Sequence, residues 1–386
     1  MKILLLSYGI PSKEDPQFGC FAMDQAKALK AAGHDVAILS MNGLIGKQWK
    51  KPGVSNWQQE GIECFEIFGL PSALLEKAGA EPLASKLIRW GSKKAFKKVI
   101  DKFGFPDIVH AHFLFTMVMG AAIKEKYPIT LIGTEHWSKL AEQTLSPDIK
   151  RDGDYAYPKV DQLICVSENL ADCVKRNFGK ESVVIHNLFN TSLLKPALGK
   201  TGNKSYVISA VGSLIDRKGF DILIKAFADS KLSQEDVTVN IYGKGPSQKV
   251  LEELIAQHGL QGKVNLCGQK TKDEIYEALR HSDLFVLSSR LENFSVAMIE
   301  ATGNGLPSVA TLCGGIKEYP VRDVIKIPTD DVEAMKNALE TAYHRKDNVD
   351  RIAIQNETIE NFSPQAIVAR MEKVYDDTLT RKKENK

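Results

Sequence analysis

Ser288 to Ala301 reads Ser-Ser-Arg-Leu-Glu-Asn-Phe-Ser-Val-Ala-Met-Ile-Glu-Ala and follows the apolar run Asp283–Leu287. The pattern predicts a strand, a loop and a helix in succession. Amides of Asn293, Phe294 and Ser295 would open that helix without intrahelical partners, and such amides together with the helix dipole suit a diphosphate. Glu300 falls further along the same helix, where a carboxylate can accept two hydrogen bonds from a vicinal diol such as a ribose. Glu292, ahead of the helix, is free to reach another part of the same ligand. Two solvated glutamates beside an ordinary helix cap fit the pattern too, and these residues alone leave both readings open.

Such a site needs a scaffold. Over 386 residues, hydrophobic residues make up 43% and charged residues 26%, which excludes disordered, collagen-like and coiled-coil classes and points to two ordinary domains. The net charge of +3 is too small to indicate a nucleic-acid partner. The six cysteines show no C-x-x-C pair and no zinc spacing, so they read as reduced, mostly buried thiols in a cytosolic protein. Met1–Leu6 reads as a first buried strand rather than a signal peptide. The most apolar interior stretch, Phe113–Ile123, has 11 residues, short of the roughly 20 that a spanning helix needs.

Short β-branched and leucine-rich runs alternate with amphipathic stretches throughout, the signature of βα units on parallel sheets. Strands are expected near 2–7, 35–40, 62–67, 107–111, 129–133, 162–166 and 182–186. A second series is expected near 205–211, 237–241, 263–267, 283–287, 307–310 and 323–327. Helices in that second series are predicted over 218–229, 247–258, 273–281, 295–304 and 330–344. Asn187–Gly202, polar and aperiodic, reads as a linker between domains, and the lysine-rich tail from Arg381 as frayed. Two doubly wound domains facing across a cleft is the expected architecture, since ligands on such sheets bind beyond the carboxyl ends of the strands.

Glu292-x7-Glu300 in its E-N-F-S-x-A-x-I-E-A frame, followed by Gly305-x-Pro307-Ser308-Val309-Ala310 and Cys313-Gly314-Gly315-x-x-Glu318, resembles the donor-site signature of the family 4 retaining glycosyltransferases. Gly33-His34-Asp35-Val36, Val211-Gly212-Ser213-Leu214 with Arg217-Lys218-Gly219, Tyr242-Gly243-Lys244-Gly245-Pro246 and Val264-x-x-x-Gly268 fall in that family's order. The resemblance implies the α/β GT-B fold, with a Rossmann-like acceptor-side domain over 1–190, a Rossmann-like donor domain over 191–362, and a C-terminal helix over 363–386 crossing back to the first domain. It implies that Glu300 holds the ribose, that Glu292 contacts donor-sugar hydroxyls, and that Asn293, Phe294 and Ser295 present amides to the diphosphate. Lys218 matches the family lysine on the diphosphate. The arginine usual after the strand glycine is replaced by Ser213, with Arg217 as the substitute charge. Gly19, with Cys20 and Phe21, resembles the glycine loop that approaches the diphosphate, with Phe18 in place of the customary earlier glycine. His136, in Thr134-Glu135-His136-Trp137, matches the histidine that faces the donor sugar. His110 and His112 read as packed structural residues, with His112 nearer the cleft.

The implied reaction is metal-independent transfer of a hexose from a UDP- or GDP-linked donor, without a cofactor, to a glycan or lipid-linked acceptor in cell-envelope or polysaccharide synthesis. Donor cleavage would pass through an oxocarbenium-like state, with attack from the face the nucleotide leaves and with Glu292 positioning rather than attacking. A dinucleotide oxidoreductase or epimerase lacks its fingerprint, because the first strand leads into Ser7-Tyr8-Gly9-Ile10-Pro11 and not G-x-G-x-x-G. A non-catalytic nucleotide-sugar or glycan-binding protein on the same fold is the other alternative. Residues 83–103 read as a basic amphipathic helix with Leu83, Leu87, Phe96, Val99, Ile100 and Phe103 on one face, fitting either a sheet-packed helix with solvated lysines or a helix meeting an anionic membrane. The expected location is the cytoplasm, peripheral on the inner membrane face in the latter case.

Overall fold

The computed structural model describes residues 1–384 except 13–14, 16–17, 42–52, 69–74, 76–77, 143 and 200–204; of Glu81 only the backbone is described. Its contacts divide the chain into one unit of Met1–His186 with Ile367–Lys386 and a second of Asn187–Ala366.

The first unit holds eight strands among the described residues: β1 (Lys2–Ser7), β2 (Asp35–Met41), β3 (Gly53–Gln59), β4 (Ile62–Phe68), β5 (Ile108–His112), β6 (Leu131–Glu135), β7 (Gln162–Cys165) and β8 (Ser182–Val184). They line up as β3-β4-β2-β1-β5-β6-β7-β8. β1 pairs in parallel with β2 on one side (Leu4↔Ala37) and β5 on the other (Leu4↔Val109). Ile3 to Leu6 are fully buried, as a strand covered by helices on both faces must be. The helices are α1 (Cys20–Ala31), α2 (Glu81–Phe103), α3 (Phe113–Lys124), α4 (Pro147–Ala156) and α5 (Glu168–Phe178).

The second unit has β9 (Tyr206–Val211), β10 (Val237–Tyr242), β11 (Val264–Leu266), β12 (Leu284–Leu287), β13 (Ser308–Thr311) and β14 (Val324–Ile327), in the order β11-β10-β9-β12-β13-β14. Its helices are α6 (Phe220–Asp229), α7 (Gln248–Gln257), α8 (Lys272–Arg280), α9 (Val296–Gly303), α10 (Val332–His344) and α11 (Arg351–Phe362). Helix starts follow the sequence: Thr271 and Glu274 form a reciprocal capping box on α8, and Asp331 caps α10. Every pairing in this sheet is parallel. The strand order reverses at β1/β5 in the first unit and at β9/β12 in the second. In an open α/β sheet that reversal leaves a crevice beyond the carboxyl ends of the two strands.

Four expectations need correction. β3 was not foreseen: it is an antiparallel edge strand on β4 (Gly53↔Phe68), and its polar, half-exposed residues carry no apolar alternation. Along α2 the buried side is Ala84, Ile88, Ala95, Phe96 and Val99, while Leu83 is 55% exposed. At 100° per residue Leu83 falls with Trp90 and Lys94, away from that side. The stretch from Asn187 is no loose linker, because Phe189 is buried and the Asn187 side-chain amide donates to the Phe294 carbonyl at 3.0 Å; residues 200–204 lie outside the described residues. The tail is anchored through Glu384: on α12 (Pro364–Glu384) Arg381 donates to Gln162 Oε1 at 2.8 Å and Lys382 pairs with Asp161 at 3.0 Å.

Candidate functional site

In the second unit the reversal point gathers the residues singled out in the sequence. The turn after β9 brings Lys218, on a short 3-10 segment Asp216–Lys218, to the loop after β12. There Lys218 Nζ pairs with Glu292 Oε1, and Ser289 Oγ donates to the same carboxylate oxygen at 2.9 Å. The Lys218 and Glu292 side chains are only 16% and 12% exposed, so little water screens them. An incoming diphosphate would compete with Glu292 for the lysine.

The Glu292–Asn293 backbone is held from behind. Gly314 has φ 53°, and a Cβ there would stand 2.0 Å from the Glu292 carbonyl oxygen. The Gly315 amide donates to the Asn293 carbonyl at 2.7 Å. Only glycine permits that approach and that backbone angle together.

α9 begins at Val296, with Ser295 as its cap accepting from the Met298 amide at 3.3 Å. The helix-opening amides without an i−4 acceptor are therefore those of Val296 and Ala297, and the amides of Asn293, Phe294 and Ser295 belong to the loop before. The Phe294 ring is 5% exposed and packs on Tyr319 and Phe362 at 5.8 and 5.5 Å, leaving only its backbone for a ligand. Glu300 lies on α9 and is 9% exposed. The Arg217 carbonyl accepts from the Arg290 amide at 2.8 Å. The Arg290 guanidinium makes a bidentate pair with Asp221 at 2.9 Å and also reaches Asp330 at 2.6 Å, which ties the two loops together. Sequence reasoning missed Arg290 because its partners come from distant segments.

In the first unit the reversal point opens into a cleft of about 550 Å³. Gly19, with φ 78°, starts α1 there. A Cβ on it would stand 2.0 Å from the Gly9 carbonyl oxygen, so the close approach is between Gly9 and Gly19. The sequence offered no sign of that pairing. His136, after β6, stacks on His112 at 5.3 Å, and the two are joined through His112 Nδ1 and His136 Nε2 at 3.0 Å. Phe21 lies 6.5 Å from His136, which sets the Gly19 loop beside it. His110 is fully buried between Tyr375 and Thr134, 2.6 Å from each, and burial pulls its pKa down to about 3. His112 is likewise kept neutral by burial.

Two further residues, one buried behind the cleft wall and one in it, were not foreseen. Glu135, fully buried, accepts from the His136 and Trp137 amides and from the Tyr157 hydroxyl at 3.0, 2.9 and 3.0 Å, yet burial outweighs these bonds and pushes its pKa up to about 7. Phe113 has φ 70°, a region bulky residues avoid at a cost of order 1–3 kcal/mol. That backbone lays its ring 4.9 Å from His136. Phenylalanine is not a turn residue, so no pattern signals it. Among the described residues no group of three or more His, Cys, Asp or Glu is placed to hold a metal ion. Nor is any helix among them long and apolar enough to cross a membrane.

Two family models divide the chain almost end to end: Glycosyltransferase Family 4 over residues 21–193 and Glycosyl transferases group 1 over residues 194–360. The chain belongs to the family 4 glycosyltransferases. This glycosyltransferase chain is 26% identical over 282 residues to a phosphatidylinositol N-acetylglucosaminyltransferase subunit of Arabidopsis thaliana, covering 71% of this chain and 60% of that protein. It is 30% identical over 229 residues to an uncharacterized glycosyltransferase of Methanocaldococcus jannaschii, covering 59% and 62%. The chain thus spans about six tenths of the length of these two relatives. It is 25% identical over 332 residues to glycogen synthase of Mycobacterium tuberculosis, covering 82% and 80%. Among solved structures, sucrose-phosphate synthase from Thermosynechococcus elongatus superposes with a TM-score of 0.78 at 17% identity, over 98% of this chain and 99% of that one. Anabaena HepE in complex with UDP gives 0.70 at 19%, over 98% and 100%. At these identities the likeness establishes the GT-B fold.

Proposed function

We propose that this family 4 glycosyltransferase moves a hexose, with retention, from a UDP- or GDP-linked donor to a glycan or lipid-linked acceptor in cell-envelope or polysaccharide synthesis. The observation that carries the reading is the poorly solvated Lys218–Glu292 pair, followed along the chain by α9 with Glu300. On donor binding Lys218 turns to the diphosphate, where a point charge offsets the negative charge the leaving group gains. Glu292 is released toward the sugar hydroxyls, Glu300 takes the ribose, and loop amides around Asn293–Ser295 with the α9 amides meet phosphate oxygens. Arg217 adds positive charge nearby. From the first unit His136, with the Gly19 loop beside it and its ring fixed by Phe113 and His112, bonds a sugar hydroxyl. The leaving phosphate accepts the acceptor proton, so neither a resident metal nor a cofactor enters the scheme. The UDP bound by Anabaena HepE favours uridine as the base.

A thermal-shift panel of UDP, GDP, ADP and CDP tests the donor, since the correct nucleotide stabilises the folded state by mass action. Hydrolysis of the matching nucleotide hexose, followed by NMR at the anomeric carbon with and without chelator, tests retention and metal independence. No nucleotide shift would sink the donor site, and slow inverted product would sink the mechanism.

The exposed side of α2 supports a peripheral place on an anionic leaflet. Leu83 and Trp90 are 55% and 50% exposed, and Lys94 lies 3.9 Å over the Trp90 ring. Lys86 and Lys97 are exposed on the same side, while Lys93 is engaged by Glu125 at 2.8 Å. Each lysine near an anionic surface contributes about 1 kcal/mol. Co-sedimentation with phosphatidylserine vesicles should be lost at high salt, and lost in the Lys86, Lys94, Lys97 to glutamine variant at low salt. Indifference of the native protein to such vesicles removes this placement.

A further inference from the structure

Arg351 opens α11 and is only 5% exposed, an uncommon place for a guanidinium. Its partners are backbone carbonyls. Nη1 donates to the Ser282 carbonyl at 2.7 Å, and Nη2 donates to the carbonyls of Arg280 and Asn304 at 3.2 and 3.4 Å. Nε is buried without a hydrogen bond, and among the described residues no carboxylate pairs with this cation. A buried charge in that position costs stability unless something else offsets it. Two helix ends do so. Arg280 is the last residue of α8 and Asn304 the cap of α9, so the negative poles of both helices meet the guanidinium.

Gln355 lies one turn along α11, on the same side of the helix, and is also buried. Its Nε2 donates to the carbonyl of Gly303, the last residue of α9, at 2.7 Å and to the Lys195 carbonyl at 3.0 Å, while Oε1 accepts from the Ala197 amide at 2.9 Å. The chain leaving α9 is equally confined. Gly305 has φ 76°, and a Cβ there would stand 2.5 Å from the Arg351 carbonyl oxygen.

This end of α9 is close to Glu300. The helix has eight residues and so spans about 12 Å. One turn after Glu300, the Asn304 backbone and side-chain amides donate to the Glu300 carbonyl at 3.2 and 2.8 Å. A continuous path of hydrogen bonds therefore runs from Arg351 through Asn304 to Glu300. In so short a helix, releasing the end displaces Glu300 with it.

We propose that Arg351 and Gln355 are positioning residues for the donor: by clamping the carbonyl end of α9 they set where Glu300 stands and so how well the nucleotide ribose is held. The proposal rests on the reading of Glu300 as the ribose carboxylate and extends it to two side chains on another helix.

The test separates the ribose from the rest of the nucleotide. Calorimetric titration compares UDP with 2′,3′-dideoxy-UDP, and GDP with its dideoxy form in parallel, on native protein and variants. Native protein should bind the matching nucleotide at least about tenfold more tightly than its dideoxy form, the size of a lost hydrogen bond to a charged group. Arg351→Lys keeps the charge but loses the fork that reaches Ser282 and Asn304 together, and should bring that ratio below about threefold. Gln355→Leu, which releases the Gly303 carbonyl without leaving a charge unpaired, should lower the ratio in the same direction. In a Glu300→Ala background neither change should alter the ratio further.

A loosening of the whole unit would weaken both forms of the nucleotide alike and keep the ratio. That outcome in a folded Arg351→Lys protein, or a native ratio in Gln355→Leu where Arg351→Lys does not fold, overturns the clamp while the donor site stands. Equal binding of UDP and its dideoxy form by native protein, with GDP likewise, overturns the ribose assignment and the clamp together. Indifference of native protein to all four nucleotides overturns the donor reading itself.

Discussion

The two reversal points of the strand order use opposite chemistries on the same scaffold. Beyond β9 and β12 the site is ionic, with Lys218 and Glu292 paired, Arg290 holding the loops, and glycine letting backbones touch. Beyond β1 and β5 it is aromatic, with a column of stacked histidines kept neutral by burial. The ionic site offers a lysine and helix-opening amides; the aromatic one offers flat apolar surface. A doubly wound sheet fixes where a ligand binds, and the side chains at the strand exits decide what it is.

The largest test of that division is Lys218→Met, which should lower kcat/KM by about 10²- to 10³-fold, because one preorganised charge on the leaving group is lost. The double variant with Glu292→Gln should be less than additive, since the two residues act as a pair. Additive losses would mean they serve separate steps. Gly314→Ala comes next: its Cβ would displace the Glu292 carbonyl, so turnover should fall at least tenfold in a protein that still melts cooperatively. Unchanged turnover would show that the glycine contact does not position Glu292. Glu300→Ala should raise the nucleotide dissociation constant about tenfold, a loss of the size measured for a hydrogen bond to a charged group. Glu292→Ala should instead act mainly on turnover, and calorimetry with the matching nucleotide separates them.

The smallest effect concerns stability in the first unit. Glu135 titrates near 7 when folded and near 4.5 when unfolded, so the folded state holds a proton the unfolded state has lost between those values. Its contribution is full below about pH 4.5 and disappears as pH rises through 7, about 3 kcal/mol in all at 1.4 kcal/mol per unit. His110 and His112 act in the other direction, losing stability as pH falls below 6.5. Glu135→Gln should therefore remove a stability loss between pH 5 and 7.5 and leave the acid limb steeper. Identical denaturation midpoints for native and variant across that range would show that Glu135 does not titrate there.

Much of the fold is legible in the sequence. Each expected strand coincides with an observed one to within about two residues, because parallel strands buried on both faces are uninterrupted apolar runs. β3 escaped since an exposed antiparallel edge needs no such run. The donor-side motif is equally legible: Glu292, the cap Ser295, Glu300 and the Gly314–Gly315 pair lie within one short stretch whose loop and helix are local structure. Lys218 could be placed beside them only through the resemblance, as its contact with Glu292 crosses 74 residues.

The aromatic cleft was decided by tertiary structure. Its walls come from the exits of β1, β5 and β6 and from α1, α2 and α4, segments spread from Ser7 to Asp152, and no local periodicity records which of them meet. Burial, which neutralises His110 and His112 and raises Glu135, is a property of the packed unit and not of any segment. Strain at Phe113 and the Gly9–Gly19 contact likewise exist only once the sheet has fixed both ends of each loop. Sequence determined the strands, the helices and the charged motif because their causes lie within a few residues. The aromatic lining of the first unit's cleft and the neutral histidines beside it arose only when distant segments shut water out together.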